Sequence, residues 1–236
     1  MSPISIAKTI GGPGSIGFLV LSCGIGILLV CIWPRRAAIG GWWVLGTLLL
    51  YCVLGFPFVA RSIVDSLPPA PSTNLAAVGK LDALILFGGD NEDGRVAKTL
   101  DAWRRLKPDV VLLFGDALLA QRLAAAGIPA TQIRQNDVPE TTRAQMESVA
   151  AEMRARPVNA AGLIASRLQM PRVIELARPY ALHLQFLTSP LDHTLPNDGI
   201  WSLIPSYRAL EVSRDALYER LALRYYKSRG WIQAEP

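Results

Sequence analysis

Two long apolar runs without a charged residue, residues 9–34 and 37–60, stand near the start of the chain, with only Arg35 and Arg36 between them. A bilayer core about 30 Å thick needs roughly 20 apolar residues per helical span, so each run is long enough to cross it. A cleaved signal peptide is the alternative, but its apolar core of about 7 to 15 residues is shorter than the first run. The pattern therefore predicts a two-helix transmembrane hairpin whose partner is the lipid bilayer.

The turn of this hairpin is short, so the second span returns the chain to the side on which the first began. Both termini are therefore expected on one side of the membrane. Trp33, Trp42 and Trp43 flank the turn, and such amphipathic rings favour a headgroup boundary. Positive charge close to a span tends to stay in the cytoplasm. The paired arginines thus favour a cytoplasmic turn and an extracytoplasmic domain.

The remainder of the chain has the length of one ordinary domain. We predict a transmembrane hairpin over residues 1–61, a proline-rich linker over 62–80 and an α/β domain over 81–236. All 19 acidic residues and most of the 24 basic residues lie from Asp65 onward, so the net charge of +5 is no argument for a nucleic-acid partner. The three cysteines, Cys23, Cys31 and Cys52, lie in the apolar runs. The soluble part therefore has neither a disulfide framework nor a thiolate metal site.

Short apolar runs alternate with helix-like stretches from residue 81 onward. The predicted strands are 81–87, 110–114, 132–134, 162–165 and 182–187. The predicted helices are 95–107, 117–126, 142–156, 171–179 and 206–229. Strands without polar alternation, separated by helices, are typical of a parallel sheet covered on both faces. We predict an α/β fold, a three-layer Rossmann-like sandwich with a mainly parallel sheet.

The last predicted helix carries Leu210, Leu217 and Leu221 on one stripe, with Ala209, Val212, Ala216 and Leu223 beside it. Such periodicity indicates a docking face. Packing onto the sheet is the favoured interpretation; a partner helix or the membrane surface are the alternatives.

Ligands of open parallel sheets bind beyond the carboxyl ends of the strands. In this chain that rule points to the loops 88–90, 115–116, 138–142 and 166–172 and to the segment after Thr188. Helix N-termini at such loops present free amide donors and a partial positive charge. The arrangement predicts a site that prefers anions.

Motifs at these positions carry a family resemblance. They are Gly88-Gly89 after the first strand, Arg95 at the head of a helix, Gly115 after the second strand, Gly127-Ile128-Pro129, Thr142, Ser166 followed by Met170-Pro171-Arg172, and Pro205-Ser206 leading to Glu219. This order resembles the YdcF, SanA and ElyC group of bacterial proteins, over about residues 81–231. With two spans in front, the chain is most similar to the ElyC type. The resemblance implies a bacterial inner-membrane protein whose termini and soluble domain are periplasmic, linked to cell-envelope, peptidoglycan and lipid-carrier metabolism.

Strand-end position and resemblance together nominate the ligand-binding residues Gly88, Gly89, Asp90, Arg95, Gly115, Asp116, Thr142, Ser166, Gln169, Arg172 and Glu219. The chain departs from the family pattern at several of them. Gln169 stands in place of a histidine, which removes a side chain able to shuttle protons near neutral pH. Ala144 stands in place of a glutamate, Asp90 in place of a third glycine, and Phe114-Gly115-Asp116 in place of Ser-Gly-Gly.

Several of these residues also have a purely structural interpretation. Thr142 and Gln145 have the spacing of a capping box, the glycines permit tight turns, and Glu219 could pair with an arginine. Arg95 and Arg172 oppose the dipoles of the helices that they begin. An anionic ligand shared between them would remove that conflict, as would a neighbouring aspartate.

Catalytic candidates are His193, Asp90 and Asp116, whereas His183 is expected to lie within the fifth strand, packed or at an edge. A hard cation could be held by Asp90, Asp93 and Asp116, but no metal-loop spacing supports them, so we predict no metal and assign no cofactor. The chain has no nucleophile elbow, phosphate loop or zinc motif.

Two functions of different class follow. The first is an envelope-biogenesis protein that binds a phosphorylated, lipid-carrier-linked or nucleotide-like ligand. The second is a non-catalytic assembly or regulatory partner of envelope enzymes, suggested by Gln169 and Ala144. S-adenosylmethionine binding, associated with part of the family, is a third choice because the glycine loops are altered. Whether the chain is an enzyme stays open.

Overall fold

The computed structural model describes residues 12–33, 35, 37–71, 75–88, 92–115, 117–136, 141–156, 158–190, 195–196 and 199–232. The chain forms two compact units. A helical unit comprises Met1–Pro68 and His193–Arg224, and an α/β unit comprises Pro69–Asp192 and Tyr225–Pro236. The predicted boundaries at residues 61 and 80 divide the chain into continuous segments, whereas each unit combines two segments. These boundaries stay a prediction. Most of the C-terminal helix belongs to the same unit as the N-terminal helices.

The described residues form eight α-helices and five strands. They are α1 (Ile16–Ile32), α2 (Ala37–Leu54), α3 (Pro57–Asp65), β1 (Ala83–Phe87), α4 (Glu92–Leu106), β2 (Val110–Phe114), α5 (Ala117–Ala125), β3 (Ile133–Gln135), α6 (Thr142–Ala155), β4 (Ala161–Ser166), α7 (Met170–Ala177), β5 (Leu184–Ser189) and α8 (Tyr207–Ser228). Short 3₁₀ turns cover Leu75–Ala77, Ala130–Gln132, Arg178–Tyr180 and Ile200–Leu203.

Helices α1 and α2 of the helical unit pack against each other through small and polar residues. The hydroxyls of Ser22 and Thr47 lie 2.8 Å apart, and Trp43 Nε1 donates to the carbonyl oxygen of Ser22 at 3.1 Å. A Cβ at Gly26 would lie only 3.1 Å from the carbonyl oxygen of Gly40. Close backbone approach and interhelical hydrogen bonds of this kind hold helices together in lipid.

Helix α2 is long and apolar enough to cross a membrane, with 18 residues and a mean hydropathy of 1.8. Within the described ranges it is the one helix that meets both criteria, since α1 is apolar but has only 17 residues. The apolar run 37–60 does not form one helix, because α2 ends at Leu54 and Pro57 begins α3. A proline ring fits the first turn of a new helix but not a helix interior.

The five strands of the α/β unit form one parallel sheet in the order β3-β2-β1-β4-β5. The chain winds from β1 outward through β2 to β3, and then outward on the other side through β4 to β5. The direction of winding therefore reverses between β1 and β4. Every residue of these two strands is buried, so both faces of the sheet are covered. The predicted Rossmann-like α/β architecture is confirmed.

The core of this unit is aliphatic. Its buried cluster includes Leu84 and Leu86 of β1, Leu113 of β2, Ile164 of β4 and Leu187 of β5. Full burial of such a side chain contributes about 1.5–3 kcal/mol. Unbroken aliphatic strands thus form where the sheet is covered on both sides.

The fifth strand begins two residues later than predicted. Ala181 takes a left-handed conformation, with φ at 49°, after the 3₁₀ turn Arg178–Tyr180. The backbone is therefore still turning at residue 182, and β5 runs from 184 to 189. His183 was predicted to lie within this strand, packed or at an edge; it is exposed and lies one residue before β5.

The predicted stripe of α8 is only partly correct. Leu221 is 55% exposed, and Leu210 and Leu217 are half-buried. The residues that were predicted beside the stripe, Ala209, Val212, Ala216 and Leu223, form the buried face. Ser213 on this face donates to the carbonyl oxygen of Leu54 at 2.7 Å, which ties α8 to the end of α2. Packing of α8 onto the sheet stays a prediction.

Candidate functional site

Buried polar side chains gather at the carboxyl edge of the sheet, near the reversal between β1 and β4. They are Arg95, Thr142, Gln145, Ser166, Gln169, Arg172 and Ser189. Each lies at the end of a strand or in the first turns of the helix that follows a strand. In parallel sheets this edge is where ligands bind. We call this set the edge cluster.

Arg95 lies on the second turn of α4, the helix that follows β1. Its side chain is completely buried, and its Nη1 donates to the carbonyl oxygen of Phe87, the last residue of β1. The carbonyl oxygen of Arg95 accepts from the hydroxyl of Thr99 at 2.7 Å. The guanidinium is thus held at the end of the central strand.

The predicted capping box at Thr142 is wrong, because the N-cap of α6 is Thr141. The backbone N–H of Ala144 donates to Thr141 Oγ1 at 3.2 Å. Thr142 is the first helical residue, so its hydroxyl is available for other contacts. Gln145 does not reach back along the helix; its Nε2 donates to the carbonyl oxygen of Phe114, at 3.4 Å, at the end of β2.

The hydroxyl of Thr142 instead joins α6 to α7. Arg172 Nη1 donates to Thr142 Oγ1 at 2.6 Å, and Gln169 Nε2 donates to the same oxygen at 3.4 Å. The backbone N–H of Gln169 donates to the hydroxyl of Ser166 at 3.3 Å. Four members of the edge cluster, Ser166, Gln169, Thr142 and Arg172, therefore form a connected network that runs from the end of β4 to the start of α6.

Gln169 and Ser189 of the edge cluster each have a side-chain oxygen that is buried without a hydrogen-bond partner in the described part of the chain. These atoms are Gln169 Oε1 and Ser189 Oγ. Ser189 lies directly beside Ser166, because the last residues of β4 and β5 are paired in register. A buried polar atom without a partner costs about 1–3 kcal/mol. A ligand that hydrogen-bonds here would recover that cost.

Aromatic side chains from the end of the chain cover the arginine of α7. The guanidinium carbon of Arg172 lies 5.7 Å from the ring centroid of Tyr226, and Tyr226 packs edge-on against Trp231. The guanidinium carbon of Arg143 on α6 lies 4.4 Å from the Trp231 ring. These cation–π contacts give the edge cluster an aromatic wall.

The glycines at the strand ends are required by close approach of two backbones. A Cβ at Gly88 would lie 2.9 Å from the Cα of Gly115 and 3.1 Å from the carbonyl oxygen of Phe114. The backbone N–H of Gly88 donates to that oxygen at 2.7 Å. These glycines belong to the frame of the site.

The structure does not test every predicted site residue. Gly89, Asp90, Asp116 and His193 lie outside the described residues. Glu219 is buried, but it belongs to the helical unit. Within the described ranges, no three His, Cys, Asp or Glu side chains are grouped to hold a metal ion.

Two members of the site were not singled out from the sequence. Ser189 lies in the segment after Thr188 that the strand-end rule indicated, but the residue itself was not named. Tyr226 had no local signal, because its contact with Arg172 joins residues far apart in the chain.

The fold and the edge cluster define the class of protein: a Rossmann-like α/β protein with a five-stranded parallel sheet and one helix able to span a membrane. No protein-family model, no curated protein and no solved structure matches the chain.

Proposed function

We propose that the chain is a membrane-anchored envelope-biogenesis protein of the YdcF/ElyC type, whose α/β unit binds a phosphorylated ligand. The ligand is a lipid-carrier-linked or nucleotide-like molecule, and the edge cluster is its site. The observation that carries the proposal is the pair of buried guanidinium groups, Arg95 and Arg172, at the carboxyl edge of a doubly wound sheet.

The chemistry of the edge cluster suits a phosphate group. Arginine presents a planar fork of five N–H donors that matches phosphate oxygens. Thr142 accepts from one of these donors on Arg172, which orients the plane of the fork. Ser189 Oγ can donate to a phosphate oxygen, and Gln169 Oε1 can accept from a ligand hydroxyl.

The anchor in this proposal is a hairpin of two spans. Helices α1 and α2 have 17 and 18 residues, which at 1.5 Å per residue gives about 26–27 Å, close to the hydrocarbon thickness. Both expose large apolar side chains, among them Val20, Ile27, Leu48 and Leu49. The periplasmic side of the soluble part follows from the family resemblance and from the paired arginines of the turn.

The binding test uses undecaprenyl phosphate and undecaprenol, which differ only in the phosphate group, with the detergent-solubilised chain. We expect binding of the phosphate alone. Arg172→Gln should weaken it about 10- to 100-fold, because a charge-assisted hydrogen bond contributes about 1.5–3 kcal/mol.

Arg178→Gln is the matched control. It removes the same charge just after α7, from a side chain that is 57% exposed and paired with Glu175. Its affinity should equal that of the unaltered chain. Arg95→Lys keeps the charge and loses the fork, so it should also weaken binding. Absence of binding, or equal loss in the Arg172 and Arg178 variants, overturns the proposal.

A second candidate, a non-catalytic partner of envelope enzymes, is favoured by Gln169. This residue occupies the position of the family's histidine, and its side chain lies within the edge cluster, on Thr142. The site would then bind without turnover. Phosphate release from undecaprenyl pyrophosphate should be absent in the unaltered chain and should appear with Gln169→His and Ala144→Glu together. Turnover by the unaltered chain excludes this candidate.

A further inference from the structure

A group of exposed apolar side chains lies in the helical unit, outside the edge cluster. Its members, with their exposed fractions, are Ile200 (70%), Trp201 (67%), Leu203 (60%), Ile204 (44%) and Tyr207 (63%). They occupy the 3₁₀ turn Ile200–Leu203 and the entry to α8. We call this group the apolar foot.

The apolar foot is fixed at one end of α2. The backbone N–H of Ser206 donates to the carbonyl oxygen of Gly55 at 2.8 Å, and the Ser206 hydroxyl caps α8 by accepting from Ala209 N at 3.2 Å. Pro205 Cβ lies 3.3 Å from the position of a Cβ built on Gly55. The foot therefore lies where α2 ends.

Helix α3 adds to the same apolar surface. It packs against the 3₁₀ turn of the foot, and its Phe58 is 49% exposed. Its polar residues, such as Arg61 and Asp65, lie further along the helix. Exposed apolar patches bordered by polar residues mark sites of contact with a membrane or a protein.

The positions of the tryptophans indicate that the apolar foot contacts the membrane. Trp33 and Trp42 lie where α1 and α2 meet, and both are more than half exposed. At the opposite end, Tyr51 donates to the carbonyl oxygen of Ser15, and residues 44–102 contain no tryptophan. Membrane proteins carry aromatic belts at both boundaries, and Trp201 supplies the second one.

We propose that the apolar foot inserts into the headgroup region of the bilayer at the Leu54 end of α2. This inference rests on the part of the proposed function in which α2 spans the membrane. The foot, α3 and the start of α8 then form an interfacial platform that keeps the helical unit in a set position at the lipid surface. A hydrogen bond from α8 to the end of the span makes this platform continuous with the anchor.

The test measures the depth of a fluorescent label in nanodiscs of phosphatidylcholine and phosphatidylglycerol. Cys23, Cys31 and Cys52 are first replaced by alanine. Single cysteines are then introduced by Trp201→Cys, by Ile204→Cys and, as a reference within the span, by Leu48→Cys. Each is labelled with an environment-sensitive dye, and quenching by lipids with a doxyl group at carbon 5 or carbon 12 is compared. The same dye on free cysteine gives the aqueous reference.

Labels at 201 and 204 should be quenched more by the shallow doxyl group than by the deep one, and well above the aqueous reference. The label at 48 should show the opposite depth order. Quenching at 48 with none at 201 and 204 overturns the apolar foot and leaves the span intact. Absence of quenching at 48 overturns the span. The replaced side chains of the foot are exposed, so the fold does not depend on them.

Discussion

At Gly88 the ends of the two neighbouring strands β1 and β2 come so close that no side chain fits. The atoms that a Cβ would meet are the Cα of Gly115 and the carbonyl oxygen of Phe114. Both belong to the backbone and cannot rotate away. The glycine is therefore required by contact, since its φ is not in the left-handed region.

Gly88→Ala should destabilise the α/β unit by about 1–3 kcal/mol, the usual cost of forcing extra atoms into a packed site. Gly79→Ala is the matched control, because a Cβ there meets nothing within 4 Å, and it should be neutral or stabilising by up to about 1 kcal/mol. Pulse proteolysis of the solubilised chain at increasing urea concentration gives the midpoint of unfolding and measures both stability changes. Equal midpoints for the two variants would contradict the contact explanation.

At the scale of elements, the opposite edge of the sheet is tied together by one carboxylate. Asp82 Oδ2 accepts from the backbone N–H groups of Asn159 at 2.8 Å and Ala160 at 3.2 Å. Its backbone also bonds to Ala160 and Asp109. The two hydrogen bonds to the carboxylate lower the pKa of Asp82 below its usual 3.8. Asp82 thus links the segments that precede β1, β2 and β4, through its carboxylate to the segment before β4 and through its backbone to the segment before β2.

The stability that Asp82 contributes should depend on pH. Because its pKa is lower in the folded chain, the contribution is complete above the unfolded pKa, near 4, and is lost as the pH falls through the folded pKa. The stability difference between the unaltered chain and Asp82→Asn should be constant above about pH 5 and shrink below about pH 4. Urea unfolding between pH 2.5 and 7 measures it; a difference that does not change over this range contradicts the assignment.

At the scale of the whole molecule, an apolar helical unit and an aliphatic-core α/β unit share one chain. The helical unit exposes large apolar side chains along α1 and α2, whereas the α/β unit encloses its leucines between covered sheet faces. The exposed apolar side chains of the helical unit favour contact with lipid, whereas an α/β unit that encloses its leucines is suited to water. This contrast supports an anchored protein with a water-exposed binding unit.

The proposed two-span topology predicts on which side of the membrane the C-terminus lies. Alkaline phosphatase fused after Pro236 should be active, and green fluorescent protein at the same place should not fluoresce. Each result is the one expected when the C-terminus lies on the extracytoplasmic side. Deleting residues 9–34 leaves one span with Arg35 and Arg36 before it, and positive charge close to a span tends to stay in the cytoplasm. Both signals should therefore be unchanged, because the remaining span keeps its orientation and only the N-terminus moves to the cytoplasm. Fluorescence from the full-length fusion would show that the soluble part faces the cytoplasm.

The sequence by itself determined the order of the strands and helices of the α/β unit. Aliphatic runs such as 110–114 and the apolar stretch that became α2 are local signals, because burial on two faces and immersion in lipid each demand a continuous apolar segment. The strand-end rule likewise located the region that contains Arg95, Thr142 and Arg172. These predictions needed only neighbours along the chain.

Only the tertiary structure decided which of those residues meet. The hydroxyl of Thr142 could cap helix α6 or accept a hydrogen bond from a neighbouring element. Because Thr141 is the N-cap, the Thr142 hydroxyl accepts from Arg172 instead. The grouping of α8 with the N-terminal helices and the contact of Tyr226 with Arg172 join distant parts of the chain. Such contacts follow from packing, where many weak interactions select one arrangement, and no local pattern encodes them.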